Sequence, residues 1–107
     1  MNSKSQAFGL SSEDFAQYQA VFTHYPQIEK VILYGSRAKG NYRKASDIDL
    51  TIIGDLDWAH FTRLESELDD LLLPYEVDLS LYAHLDNPDL IAHIKRVGKI
   101  FFQTKSE

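Results

Sequence analysis

The chain contains no cysteine, and among its 107 residues only three prolines and five glycines. Without cysteine it can form neither a disulfide framework nor a thiolate metal site, and nothing in it argues for secretion, so a cytoplasmic location is expected. Long apolar runs are missing too. The opening MNSKSQAFGL carries one cation and no hydrophobic stretch, so neither a membrane anchor nor a targeting segment is expected. Cations are scarce overall, with eleven Lys and Arg against sixteen Asp and Glu for a net charge of −5. Broad capture of DNA or RNA needs many basic side chains to neutralise phosphates, so stable nucleic-acid binding is not expected. A chain this short supports one hydrophobic core. Residues 1–107 are therefore expected to form a single domain, with 1–10 as a flexible N-terminal tail.

The few cations lie together. Arg37, Lys39, Arg43 and Lys44 are four of the eleven and fall within eight residues. That concentration suits a small anion better than a polymer, although a solvated basic loop has the same composition.

Helical and extended patterns alternate in the order α-β-(loop)-β-α-β-α-β. In SSEDFAQYQAVFTHYP, Ser11 or Ser12 is placed to cap a helix with Phe15, Tyr18, Val21 and Phe22 on one face, and Pro26 ends it. VILY, 31–34, is a continuous apolar run ending in Gly35, the pattern of a strand buried on both faces. WAHFTRLESELDDLLL places Trp58, Phe61, Leu64, Leu68, Leu71 and Leu72 at helical spacing behind a capping Asp57, with its acidic run toward solvent. NPDLIAHIKRVG has Asn87 as cap, Pro88 at the first helical position and Gly98 at the end, and KIFFQ reads as a last strand. Strands alternating with helices predict an α/β (α+β) domain, a small mixed sheet with helices packed on one face.

Two strands carry the chemistry. In DIDLTII, Asp47, Asp49 and Thr51 point one way while Ile48, Leu50 and Ile52 point the other. YEVDLSLY divides likewise, with Glu76, Asp78, Ser80 and Tyr82 opposite Val77, Leu79 and Leu81. If the strands are neighbours, Asp47, Asp49 and Asp78 converge on the open side of the sheet. Clustered carboxylates repel unless protons or cations relieve them. Oxygen-only ligands favour a hard ion, Mg²⁺ or Mn²⁺, which leaves positions for phosphate oxygens. Gly35 permits close backbone approach to a phosphate and Ser36 adds a hydroxyl, while Arg37 and Lys39 are placed to hold the far phosphates of a nucleoside triphosphate. His24, His60, His84 and His93 lack ligand spacing and read as surface or helix-end residues. Tyr34 and Tyr75 read as packing.

Gly35-Ser36, ten intervening residues, Asp47-Ile48-Asp49, and Asp78 within EVDLSLY resemble the GS-x10-DxD signature of the DNA polymerase β-like nucleotidyltransferase superfamily. YGSRAKG, SDIDL and LPYEVDL are most similar to the minimal nucleotidyltransferases, the catalytic halves of MNT/HEPN pairs. The resemblance covers about Ile28 to Gln103. It implies the polymerase β-like fold, with Asp47 and Asp49 as the metal-binding pair, Asp78 as the third carboxylate, and Gly35 with Ser36 as the triphosphate-holding turn. It further implies ATP as substrate, an all-helical HEPN partner in a hetero-oligomer, and an antitoxin role in which AMP moves to a tyrosine of that partner.

Two other readings compete with this one. A non-catalytic antitoxin would neutralise its partner by masking it. Asp47-Ile48-Asp49-Leu50-Thr51 also fits the DxDxT of haloacid dehalogenase-like phosphatases, but their aspartates follow an apolar strand, whereas here YRKAS precedes Asp47 and the apolar run comes after.

Overall fold

The structure is a computed structural model that describes residues 6–104. A short antiparallel hairpin, β1 (Gln6–Ala7) and β2 (Leu10–Ser11), leads into α1 (Ser12–Phe22) and β3 (Ile28–Tyr34). A single-turn helix α2 (Ser36–Lys39) precedes β4 (Ile48–Gly54), α3 (Trp58–Asp69) and β5 (Val77–Leu81). A 3₁₀ turn (Tyr82–His84), α4 (Pro88–Val97) and β6 (Lys99–Gln103) follow. The four long strands form one mixed sheet in the order β5-β4-β3-β6. β3 is antiparallel to both β4 and β6, and β4 is parallel to β5. A parallel pair requires a crossover, which α3 supplies.

Helix starts follow the sequence signals closely. Ser11 caps α1 by accepting from the Asp14 amide at 3.1 Å, Asp57 caps α3 through the His60 amide at 2.8 Å, and Asn87 accepts from both Asp89 and Leu90 amides at the start of α4. The α3 stripe is only partly buried. Phe61, Leu64 and Leu68 enter the core, but α3 stops at Asp69 and the exposures of Trp58 and Leu72 are 65% and 88%. Leu72 lies beyond the helix with a φ of 56°, so the helical spacing there is coincidental.

One core cluster joins α1 and α3 to a single face of the sheet through Val31, Leu33, Leu50, Ile52, Leu79 and Leu81. β6 contributes two consecutive residues, Phe101 and Phe102, because its register with β3 slips by one between Val31 and Ile32. The bulge turns both rings inward, where Phe101 meets Phe15, Tyr18 and Phe22. Burying a phenylalanine is worth about 1.5–3 kcal/mol relative to exposure.

Two expectations need correction. The expectation of helices on one face holds for α1 and α3 but not for α4. His93 of α4 stands edge-on to the Tyr34 ring, and Gly98 abuts Ile32; both partners lie on the face opposite Val31 and Leu33. VILY is thus covered on both sides, as its unbroken apolar run implies. The second correction concerns the N-terminus. Residues 6–10 are not a tail, since Leu10 is 0% exposed and Phe8 stacks on Phe101. Residues 1–5 of the expected tail lie outside the described residues.

Candidate active site

The sheet register builds the site. β3 ends at Tyr34, which pairs with Asp49, and Asp49 in turn pairs with Asp78 across the parallel β4–β5 ladder. In-register neighbours on adjacent strands share a face about 4.8 Å apart. The two carboxylates therefore stand side by side, on the face away from the α1–α3 core. Asp47 sits one residue before β4 and is exposed, as is Asp78, while Asp49 between them is half-buried. Pairing continues upstream of β5, where the Ile48 amide donates to the Glu76 carbonyl at 2.8 Å.

Gly35 lies against Asp49. Its φ of 78° and ψ of −158° suit glycine alone, and a Cβ built there would collide with the Asp49 Oδ2. The turn is thus pressed onto the carboxylate it faces. Ser36 follows, half-buried, with its carbonyl accepting from the amides of Gly40 and Asn41 at 2.9 and 3.2 Å. Lys39 is exposed.

Electrostatics agree with this placement. The Asp49 carboxyl is held above the usual carboxylate range, first by burial and then by the negative charges of Asp78 and Asp47, with His93 opposing. None of these aspartates has a lysine or arginine ion-pair partner among the described residues. A cluster of anions without counter-charge, offering only carboxylate oxygens, matches the donor chemistry of a hard divalent ion. Among the described residues no three acidic or histidine side chains are already gathered as ligands. Asp47 is exposed at the end of the loop before β4, and its charge is among those that act on Asp49. A cavity of about 440 Å³ lies between α3 and β5, lined by Glu65, Asp69, Glu76 and Leu79. It is on the Val77–Leu79 side of β5, away from Asp78.

Arg37 departs from the expected role. It is 2% exposed and donates to three backbone carbonyls, those of Phe8, Ser46 and Lys44. A guanidinium so engaged is turned away from the phosphates of a nucleotide, and of the expected phosphate-binding residues Gly35 is the one in contact with a carboxylate, that of Asp49.

His93 was not expected in the site. Its Nε2 accepts from the Gly35 amide at 3.3 Å, and its ring centroid lies 6.2 Å from that of Tyr34. It reaches the turn from α4, 58 residues along the chain. No motif or spacing marks it, because only the packing of α4 on the sheet brings it there. The phosphatase alternative fails on position: β4 begins at Ile48, so Asp47 precedes its strand instead of following it.

Comparison with known proteins agrees with this geometry. A Methanocaldococcus jannaschii protein provisionally named a protein adenylyltransferase is 45% identical over 51 residues, 48% of this chain and 48% of the relative. A Haemophilus influenzae protein, provisionally named protein adenylyltransferase MntA, is 35% identical over 72 residues, 65% of this chain and 63% of the relative. The matched stretches thus span between about half and just under two thirds of those relatives' lengths. A structure described as a tri-AMPylated Shewanella oneidensis HEPN toxin in complex with MNT antitoxin superposes with a TM-score of 0.61 at 20% identity, covering 86% of this chain and 71% of that one. At that identity the likeness shows a shared fold. The model of the family described as Polymerase beta, Nucleotidyltransferase matches residues 16–107, taking in Gly35 and all three aspartates, and the chain belongs to that nucleotidyltransferase family.

Proposed function

We propose that the chain is a protein adenylyltransferase that moves AMP from ATP to a hydroxyl of an all-helical HEPN-type partner, and that it acts as that partner's antitoxin. The observation that carries the reading is the register pairing of Asp49 with Asp78 beneath the Gly35 turn. The names of the two relatives and the complex of an AMPylated HEPN toxin with its MNT antitoxin supply the acceptor class.

In the reaction, the acceptor oxygen bonds to the α-phosphorus and the bond from that phosphorus to the β-bridging oxygen breaks, releasing pyrophosphate. Asp47, Asp49 and Asp78 would hold magnesium or manganese. Such ions, when bound, supply positive charge to the triphosphate and lower the pKa of the attacking hydroxyl. Asp78, exposed on the edge strand β5, would take the hydroxyl proton as the acceptor approaches. The Gly35 backbone and Ser36 hydroxyl orient the β- and γ-phosphates, and Lys39 offsets charge on the departing pyrophosphate. His93 accepts from the Gly35 amide and so helps to hold the turn that faces Asp49.

The test pairs the purified chain with a HEPN-type protein from the same organism and α-labelled ATP. Wild type is expected to label the partner, and Asp49→Ala to leave it unlabelled while still binding it. Undiminished labelling by Asp49→Ala would refute the assignment.

A further inference from the structure

Arg37 is a buried cation without a counterion. No carboxylate lies within ion-pair distance of it among the described residues. Its charge is met by oxygen dipoles: Nη1 donates to the Phe8 carbonyl at 2.8 Å, Nε to that of Ser46 at 3.1 Å, and Nη2 to that of Lys44 at 3.2 Å. The rings of Tyr42 and Tyr75 lie 5.1 and 5.2 Å from the guanidinium carbon, within cation–π range. Desolvating a guanidinium costs several kcal/mol unless its donors are satisfied. The three acceptors are met by three different nitrogens of one rigid planar group, a spread that the single nitrogen of a lysine ammonium does not reproduce.

Those acceptors come from two segments far apart in sequence. Phe8 lies in the turn of the β1–β2 hairpin. Lys44 and Ser46 belong to a tight turn closed by the Ser46 amide on the Arg43 carbonyl at 3.0 Å and by the Arg43 amide on the Ser46 Oγ at 2.8 Å. The next residue is Asp47. Gly9 has a φ of 83°, and a Cβ there would come within 2.6 Å of the Tyr42 Cε1 and 2.7 Å of the Arg37 Nη1. The hairpin therefore reaches the guanidinium because that position is glycine.

We infer that the N-terminal hairpin and Arg37 form a clamp that positions Asp47. The hairpin lies before residue 16, where the family match begins, yet through Arg37 it governs where the first aspartate enters the site. Arg37 is a positioning residue, acting through the Arg43–Ser46 turn. The role assigned to Asp47 rests on the proposed function; the clamp itself does not.

The test measures amide hydrogen exchange on the full chain for wild type, Arg37→Lys and Gly9→Ala, followed by Mn²⁺ titration of each with a non-hydrolysable ATP analogue, read by electron paramagnetic resonance. In both variants residues 43–47 are expected to exchange at least ~10-fold faster while β3 and β4 keep their protection. Mn²⁺ is expected to bind ~10-fold more weakly, the lower end of effects seen when groups that orient a metal ligand are removed. Wild-type exchange in 43–47, or acceleration spread evenly over the sheet, would overturn the clamp. Unchanged Mn²⁺ affinity with a loosened turn would overturn its link to Asp47. If Arg37→Lys does not fold, Gly9→Ala decides by the same criteria. A wild-type chain with an intact clamp and no AMP transfer would refute the proposed function and leave the clamp standing.

Discussion

At the scale of single residues, the site is organised around Asp49, pressed by Gly35 on one side and by Asp78 on the other. Gly35→Ala would strain a backbone that L residues rarely adopt and drive its methyl onto the carboxylate. On the proposed function it should cut AMP transfer on the order of 100-fold, or about 2.7 kcal/mol of transition-state stabilisation, in steady-state assays of kcat/KM. The faces on which Asp49 and Asp78 lie, and the turn at Gly35, were legible in the sequence because strand alternation and turn chemistry are local rules. Arg37 was misread for a physical reason. A cation beside a phosphate-type turn has the same sequence signature whether it faces the ligand or turns back into the protein, and only the fold shows three carbonyls waiting for it. His93 left no local trace at all, since its partner amide is 58 residues away.

At the scale of elements, the N-caps and faces were legible, as was the end of α4 at Gly98, but the end of α3 was not. Ser11, Asp57 and Asn87 were readable as N-caps, and Pro88 at the first position of α4 fits its fixed backbone angle. The C-terminal half of the WAHFTRLESELDDLLL stripe misled because leucines continue the helical period after Asp69, where the chain has already left the helix. The Phe101 bulge was equally hidden, since two adjacent aromatic residues break strand alternation without announcing which one is extra. α4 carries His93 to the turn, so its start matters to the site. Asn87→Ala removes the acceptor for two amides. It should destabilise the protein by about 1 kcal/mol in chemical denaturation, with transfer activity retained under conditions where the variant is fully folded.

At the scale of the whole molecule, a four-stranded sheet carries a hydrophobic core on one face and an uncompensated acidic site on the other. Neighbourhood of β4 and β5 was a condition that the sequence could pose but not answer, because strand order depends on the crossover through α3. No helix among the described residues is long and apolar enough to cross a membrane. The acidic face makes metal-free stability depend on pH in a definite direction. Asp49 binds its proton more tightly folded than unfolded. As pH rises from the ordinary carboxylate value through the raised one, the unfolded chain loses that proton first and the folded state loses stability relative to it. Stability of the metal-free protein should therefore fall across that window. Asp49→Asn should remove this contribution to the dependence and raise the metal-free melting temperature by roughly a few degrees. Differential scanning calorimetry between pH 4 and 7 checks both.

The central claim is that Asp47, Asp49 and Asp78 act together on a divalent ion opposite the Gly35 turn. Titration of Mn²⁺ into the purified chain with an ATP analogue, followed by isothermal calorimetry, tests it directly. Saturable binding by wild type, lost in both Asp49→Asn and Asp78→Asn variants that remain folded, is the predicted result. Wild-type affinity in either folded variant, or no binding by the wild type, would contradict it.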